Sequence, residues 1–185
     1  PVRMQWSREE DIRQGRYRPV SLVKLRGGLD KDGNWLGWEV KQSDQSIALN
    51  VFPQFVKDGI DQINTRVFRD NPYAVPNFTN EYVLKEFHVP PGFWRGVNIN
   101  QNAIFIECFM DELADEAGMD PLAFRQQFMA NHPRNLAVLN AVAKKIGWEK
   151  KPRKDVYRGI AVQRSFGSYV AAACELSVKD GNKVK

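Results

Sequence analysis

Between Asn100 and Ile146 three amphipathic segments follow one another, and they decide the class of fold open to this chain. The first, from about Asn100, carries Ile106, Phe109 or Met110, Leu113 and Ala117 on one face and stops at Gly118. The second starts at Asp120, a good helix cap, with Pro121 in its first turn, and ends near Asn131. The third turns Leu136, Leu139, Val142 and Ile146 inward and closes at Gly147. Strand-forming segments lie on both sides of this block. An order of strands, helices, strands predicts an α+β fold, with the three helices clustered on one side of antiparallel strands, rather than a doubly wound sheet.

The flanks are readable in part. "PVRMQW" suggests a strand ending near Trp6, after which Ser7 caps a short helix with Glu10 completing a capping box. On that helix Glu9 and Arg13 stand at pairing distance. Val20–Leu25 and Trp35–Lys41 flank Asp32-Gly33, a hairpin signal. Ile60, Ile63 and Val67 recur at helical spacing and predict a helix from about Lys57 to Phe68. Pro72 and Pro76 make "DNPYAVPN" a loop, and "EYVLKEFHV" reads as a strand. Two further strands, "YRGIAVQR" and "SYVAAACELSV", close the chain. The last residues, "CELSVKDGNKVK", read as a strand and turn within a hairpin, and Pro1 is no initiator methionine, so a piece of a longer polypeptide is expected.

Composition removes several classes of function. Hydrophobic residues make up 43% and charged residues 26%, as in ordinary globular proteins. The formal charge is +5, but the basic cluster "KKPRK" follows Trp148 as a solvated connection with no interleaved aromatics, which argues against a nucleic-acid partner. No apolar run approaches the ~20 residues of a membrane span. Cys108 and Cys174 lie far apart, without ligand spacing, and are expected as free, buried thiols. His88 and His132 have no carboxylate pair at ligand spacing, so no metal site is expected.

One stretch is chemically odd. "PPGFWRGVNINQN" brings Trp94, Arg95 and Gly96 to the mouth of a helix and follows them with Asn98, Asn100, Gln101 and Asn102. Packing alone would account for a tryptophan beside a surface arginine. Gly96, however, admits a close backbone approach, and a helix N-terminus favours an anion such as a pyrophosphate. Both readings stay open on the residues. A second stretch, "VQRSFGSYVAAA", interrupts an apolar run with Gln163, Arg164, Ser165 and Ser168, and reads equally as a bulged or edge strand and as a site.

Taken in order, Pro1-Val2-Arg3, Arg8-Glu9-Glu10-Asp11, Trp94-Arg95-Gly96, Gln101, Glu107 and "DPLAFR" resemble the molybdopterin-binding large subunits of the xanthine oxidase family of molybdenum hydroxylases. The match is nearest the branch of the isoquinoline 1-oxidoreductase beta subunit and related aldehyde-oxidising proteins. "RGIAVQRSFGSYVAAACELSV" resembles the segment that introduces the second half of the cofactor domain, so 1–150 would be part of the first half and 151–185 the start of the second. The resemblance implies a molybdenum–molybdopterin cofactor in its cytosine dinucleotide form, a small [2Fe-2S] iron-sulfur subunit and the rest of the large subunit as partners, and an aldehyde or N-heterocycle as the small-molecule substrate. It makes Trp94, Arg95, Gly96, Val97 and Gln101 cofactor-binding, and Trp94, Gln163 and Arg164 substrate-lining. Gln163-Arg164 stand where close relatives often carry His-Glu. The family's upstream glycine loop, its downstream Gly-Gln-Gly loop and the late glutamate that acts as general base have no match here. The chain is therefore expected to contribute a wall of the cleft but no catalytic residue, and to be inactive and cofactor-free by itself. The competing expectation is a non-catalytic interaction domain that kept the scaffold without the cofactor.

Overall fold

The computed structural model describes residues 1–179 and 183–184. Helix α1 (Arg8–Gln14) is capped by Ser7, whose hydroxyl accepts the Glu10 N–H at 3.3 Å. Arg13 pairs with Glu10 at 3.7 Å rather than with Glu9, an alternative that helix geometry leaves open on an exposed surface. Residues 1–7, expected to begin as a strand, are exposed and lie in no strand. An extended segment becomes a strand only where a neighbour takes its backbone hydrogen bonds.

Strands β1 (Ser21–Leu29) and β2 (Trp35–Asp44) form the expected hairpin, longer than the residue pattern suggested. Gly33 holds its turn at φ +80°, and Asp30 accepts the N–H groups of Asp32 and Asn34 at 2.9 Å each. The chain then forms α2 (Ile47–Val51), the two-residue strands β3 (Val56–Lys57) and β4 (Ile60–Asp61), and α3 (Arg66–Arg69). The helix expected from Lys57 to Phe68 is thus replaced by a tight ladder and one short turn of helix. Asp58 and Gly59 take positive φ between the two strands, and Asp61 binds the N–H groups of Ile63 and Asn64 with its own carboxylate. Local side-chain bonding outweighs the helical spacing of three isoleucine and valine residues.

Strand β5 (Asn77–Leu84) runs parallel to β2, from Gly37 opposite Asn77 to Asp44 opposite Leu84. The first sheet, β1-β2-β5, is therefore mixed rather than wholly antiparallel, because residues 45–76 supply a crossover long enough for parallel pairing. The three helices form as expected: α4 (Ile99–Glu116), α5 (Pro121–Gln127) and α6 (Pro133–Ile146). Asp120 caps α5 by accepting from Leu122 and Ala123 at 3.0 Å, and Gly147 ends α6 at φ +70°. Strands β6 (Val156–Ser165), β7 (Ser168–Lys179) and β8 (Lys183–Val184) make a second, antiparallel sheet. The turn expected after β7 falls on residues 180–182, outside the described residues.

Helix α4 touches both three-stranded sheets, through β1 and β6, and α6 packs on β6 and β7. Their shared core joins Trp35, Trp38 and Val40 of β2 to Ile106, Met110 and Leu113 of α4, and to Phe124, Leu139 and Val162. Cys108 and Cys174 are exposed, not buried: each sits at an outward position of its element. Free cysteines are usually buried, but the periodicity of α4 and β7 places these two outward and overrides that tendency.

Candidate functional site

The turn from Trp94 to Val97 is held by its own backbone and by one distant arginine. Val97 N–H donates to the Trp94 carbonyl at 2.6 Å, and Ile99 N–H to the Gly96 carbonyl at 2.9 Å. Gly96 stands at φ +82° and Val97 at φ +54°. Glycine takes this region freely, whereas a β-branched valine there is strained by about 1–3 kcal/mol and needs its surroundings to hold it. Arg18 does so: Nη1 donates to the Val97 carbonyl at 2.8 Å and to Asn100 Oδ1 at 2.7 Å, and Nη2 to the Arg95 carbonyl at 2.5 Å. The N–H groups of Arg95 and Gly96 have no acceptor among the described residues, and Asn98 makes no side-chain cap at the start of α4.

The amide side chains after the turn are braces. Asn98 Nδ2 donates to the carbonyls of Ile63 and Asn64, and Asn102 Nδ2 reaches the Asn64 carbonyl at 3.0 Å. Gln101 Nε2 is anchored on Ser21 Oγ at 2.7 Å. Behind them lies a buried polar centre. Asp61 accepts four bonds, from Ser46 Oγ, Ala48, Ile63 and Asn64, and Gln42 Nε2 donates to Asp44 and to the Asn64 carbonyl. Burial, reinforced by the Asp61 charge, pushes the Asp44 carboxyl up to about 6. Gln42 Oε1, Asn64 Oδ1 and Asn102 Oδ1 are buried without a partner among the described residues.

Beside the turn opens a cavity of about 490 Å³, between α3, the start of α4 and the tip of the β6–β7 hairpin. Val97, Gln163 and Arg164 all line it, so three of the residues singled out in the sequence meet there, with Phe55, Phe93 and Phe166. Trp94, Arg95 and Gly96 stand on the turn outside this lining, and Gln101 points to β1. Sequence reading passed over Phe93, although it adjoins Trp94, and Arg18, which no local pattern marks. The hairpin keeps regular register from Val156–Ser177 to Ser165–Ser168, without a bulge, and Phe166-Gly167 form its two-residue turn at φ +48° and +84°. Arg164 lies over the Tyr169 ring at 5.6 Å, and Gln163 Nε2 is buried with no acceptor among the described residues.

Glu107 and the arginine of "DPLAFR" turn out to be partners in the interior. Arg125 Nε donates to Glu107 Oε2 at 3.0 Å and Nη1 to Asp111 at 2.6 Å; Tyr73 donates its hydroxyl proton to Glu107 Oε1 at 2.9 Å, and Val162 N–H reaches Oε2 at 3.3 Å. Burial pushes the Glu107 carboxyl up and the Arg125 guanidinium opposes it. The cluster ties α4, α5 and β6 together. No group of three or more metal-ligating side chains occurs among the described residues, and no helix there is long and apolar enough to cross a membrane.

Residues 1–129 match the family described as the molybdopterin cofactor-binding domain. The chain is 24% identical to one of the subunits of nicotinate dehydrogenase from Pseudomonas putida, covering 86% of this chain and 14% of the relative. It is 25% identical to the beta subunit of isoquinoline 1-oxidoreductase from Brevundimonas diminuta, covering 91% of this chain and 22% of the relative. It thus spans less than a quarter of the length of either. Its fold resembles quinoline 2-oxidoreductase of Pseudomonas putida 86 with a TM-score of 0.61 at 19% identity, over 77% of this chain and 21% of that one. The motifs in order, the mixed α+β architecture and the match across more than half of its length lead to one conclusion: the chain belongs to the molybdopterin cofactor-binding domain family of xanthine oxidase-type molybdenum hydroxylases.

Proposed function

We propose that this chain forms one wall of the cofactor and substrate cleft of a hydroxylase that oxidises an aldehyde or an N-heterocycle. The observation that carries this reading is the turn before α4, where two adjacent backbone N–H groups, on Arg95 and Gly96, have no acceptor among the described residues. Such donors beside an uncapped helix start suit the anionic edge of a molybdopterin, and Gly96, without a Cβ, admits it closely. Bound in the cleft, such a cofactor would supply the redox chemistry of a hydroxylation that draws its oxygen from water.

The chain's own residues bind and orient. Arg95 and Gly96 donate from the backbone, Val97 and Arg18 hold the turn's shape, and Gln101, anchored by Nε2 on Ser21, offers its carbonyl oxygen to the cofactor. Trp94, 46% exposed, closes the substrate side of the turn, with Gln163 and Arg164 opposite. The general base belongs to the remainder of the polypeptide, as does most of the cofactor's dinucleotide, proposed to be the cytosine form. A small [2Fe-2S] subunit is the proposed electron partner. On this reading 1–150 is part of the first half of the cofactor domain and 151–185 opens the second.

The test uses the full-length protein that carries this segment. Gly96→Val should lower molybdenum content, because a Cβ there comes to 3.3 Å from Asn100 Cγ and stands in the approach of the cofactor. Arg95→Ala should reduce kcat/KM less, since the backbone makes the contact. Trp94→Ala should keep the metal and change substrate preference. Elemental analysis and kcat/KM decide. Full metal and full activity in Gly96→Val would leave the turn only a packed loop before a helix, whereas a full-length parent without molybdenum or activity would favour the interaction-domain reading.

A further inference from the structure

The cavity beside the turn is apolar in its walls and cationic at its donors. Phe55, Phe93 and Phe166 supply flat aromatic surface, while Arg66, Arg69 and Arg164 bring three guanidiniums against one carboxylate, Asp70. Asp70 is occupied through the Nε atoms of Arg66 and Arg69, each at 3.1 Å, and Arg69 Nη1 donates to Gln62 at 2.9 Å. Arg164 has no carboxylate partner among the described residues. It lies on one ring, Tyr169, together with Arg134, at 5.6 and 5.7 Å, so two cations share one π-system without a counter-charge of their own. Next to it, Gln163 Nε2 is a buried donor without an acceptor. Every unmatched group here is a donor.

We infer that the cavity takes an aromatic or heteroaromatic carboxylate, its ring against the phenylalanines and its carboxylate held by Arg164 and Arg69. A neutral substrate of the same shape would fill the walls but leave the donors unpaired, and a polar site rejects a ligand that cannot satisfy it. A guanidinium fork matches two carboxylate oxygens at once, which a point charge does not. The inference rests on the proposed cleft, and narrows its substrate to anions.

The full-length protein that carries this segment is titrated calorimetrically with benzoate, benzamide and inorganic phosphate. Benzoate should bind roughly tenfold or more tighter than benzamide, in line with a charge-assisted bidentate contact. Arg164→Gln, at an exposed hairpin tip where folding is safe, should bring benzoate to the benzamide level, and Arg164→Lys should fall between. Equal binding of benzoate and benzamide, or binding of neither, overturns the inference. Preference for inorganic phosphate also overturns it, by assigning the arginines to a phosphate of the cofactor. In the full-length enzyme Arg164→Gln should raise KM for an aromatic carboxylate at unchanged molybdenum content; loss of metal instead would again mean a phosphate site. The Gly96→Val result stands apart from these, so the cleft reading and the anion reading can fail separately.

Discussion

Along its inner face β2 changes chemistry halfway. Trp35, Trp38 and Val40 are buried against the helices, while Gln42 and Asp44, equally buried, bond to each other, and Gln42 shares the Asn64 carbonyl with the amides of Asn98 and Asn102. The apolar half contains one buried charge pair, Glu107 with Arg125, and its carboxylate receives bonds from three different elements or loops. In the polar half unpartnered acceptors outnumber donors, and much of the bonding ends on the carbonyls of Ile63 and Asn64, in irregular chain. The difference is one of what each half must hold. Regular helices and strands satisfy their own backbone, so the first half can be oil and a single matched pair. Irregular segments cannot, and amide side chains supply the missing partners. The polar half is what lets the turn before α4 have a defined shape.

The contrast can be broken most strongly at Arg125. Arg125→Met leaves Glu107 buried and unpaired and should destabilise by about 3–5 kcal/mol, read as a lower urea midpoint. A loss under about 1 kcal/mol would mean that the pair is not the anchor of its region. Asp44 offers the next largest effect. Its carboxyl stands near 6 in the folded chain against 3.8 as a free group, so the folded state holds the proton more tightly than the unfolded state. The associated stability is therefore full below 3.8 and lost as pH rises through about 6, on the order of 3 kcal/mol. Asp44→Asn should flatten this slope and exceed the parent well above pH 6; identical pH profiles for the two proteins would contradict it. In the apolar half, Gly27→Ala places a Cβ 2.7 Å from Leu113 Cδ2 and should cost about 1–3 kcal/mol by overpacking. The smallest change is expected for Asn102→Leu, within about 1 kcal/mol, because it loses one bond to the Asn64 carbonyl and removes an unpartnered buried oxygen. A loss comparable to Arg125→Met would show the polar half to be as tightly matched as the apolar one.

The helices were legible because their signals are local: a cap at Asp120, a glycine at Gly147 and apolar spacing between. The segment from Lys57 to Phe68 was not, since Asp61 folds it with side-chain bonds that periodicity does not register. Parallel pairing of β5 depends on where a long crossover lands, which no window of residues contains. In the site, Gln163 and Arg164 were conspicuous as polar breaks in an apolar strand, and the fold brings them to the cavity that Val97 lines. Trp94 stood in the Trp94-Arg95-Gly96 motif and Phe93 lay just outside it. Arg18 was invisible, because its meaning lies in partners far along the chain.

Those partners stand 77 to 82 positions downstream of Arg18. Arg18 is already present when the turn is synthesised, but the coiling of α4 alone cannot complete the turn's shape. It must wait for the opening segment and the helix to meet, a long loop closure that comes late in assembly. A strained valine and two unmatched backbone donors thus depend on one long-range contact, and any variant that weakens the meeting of Arg18 with the turn should loosen residues 95–100 before the rest of the chain.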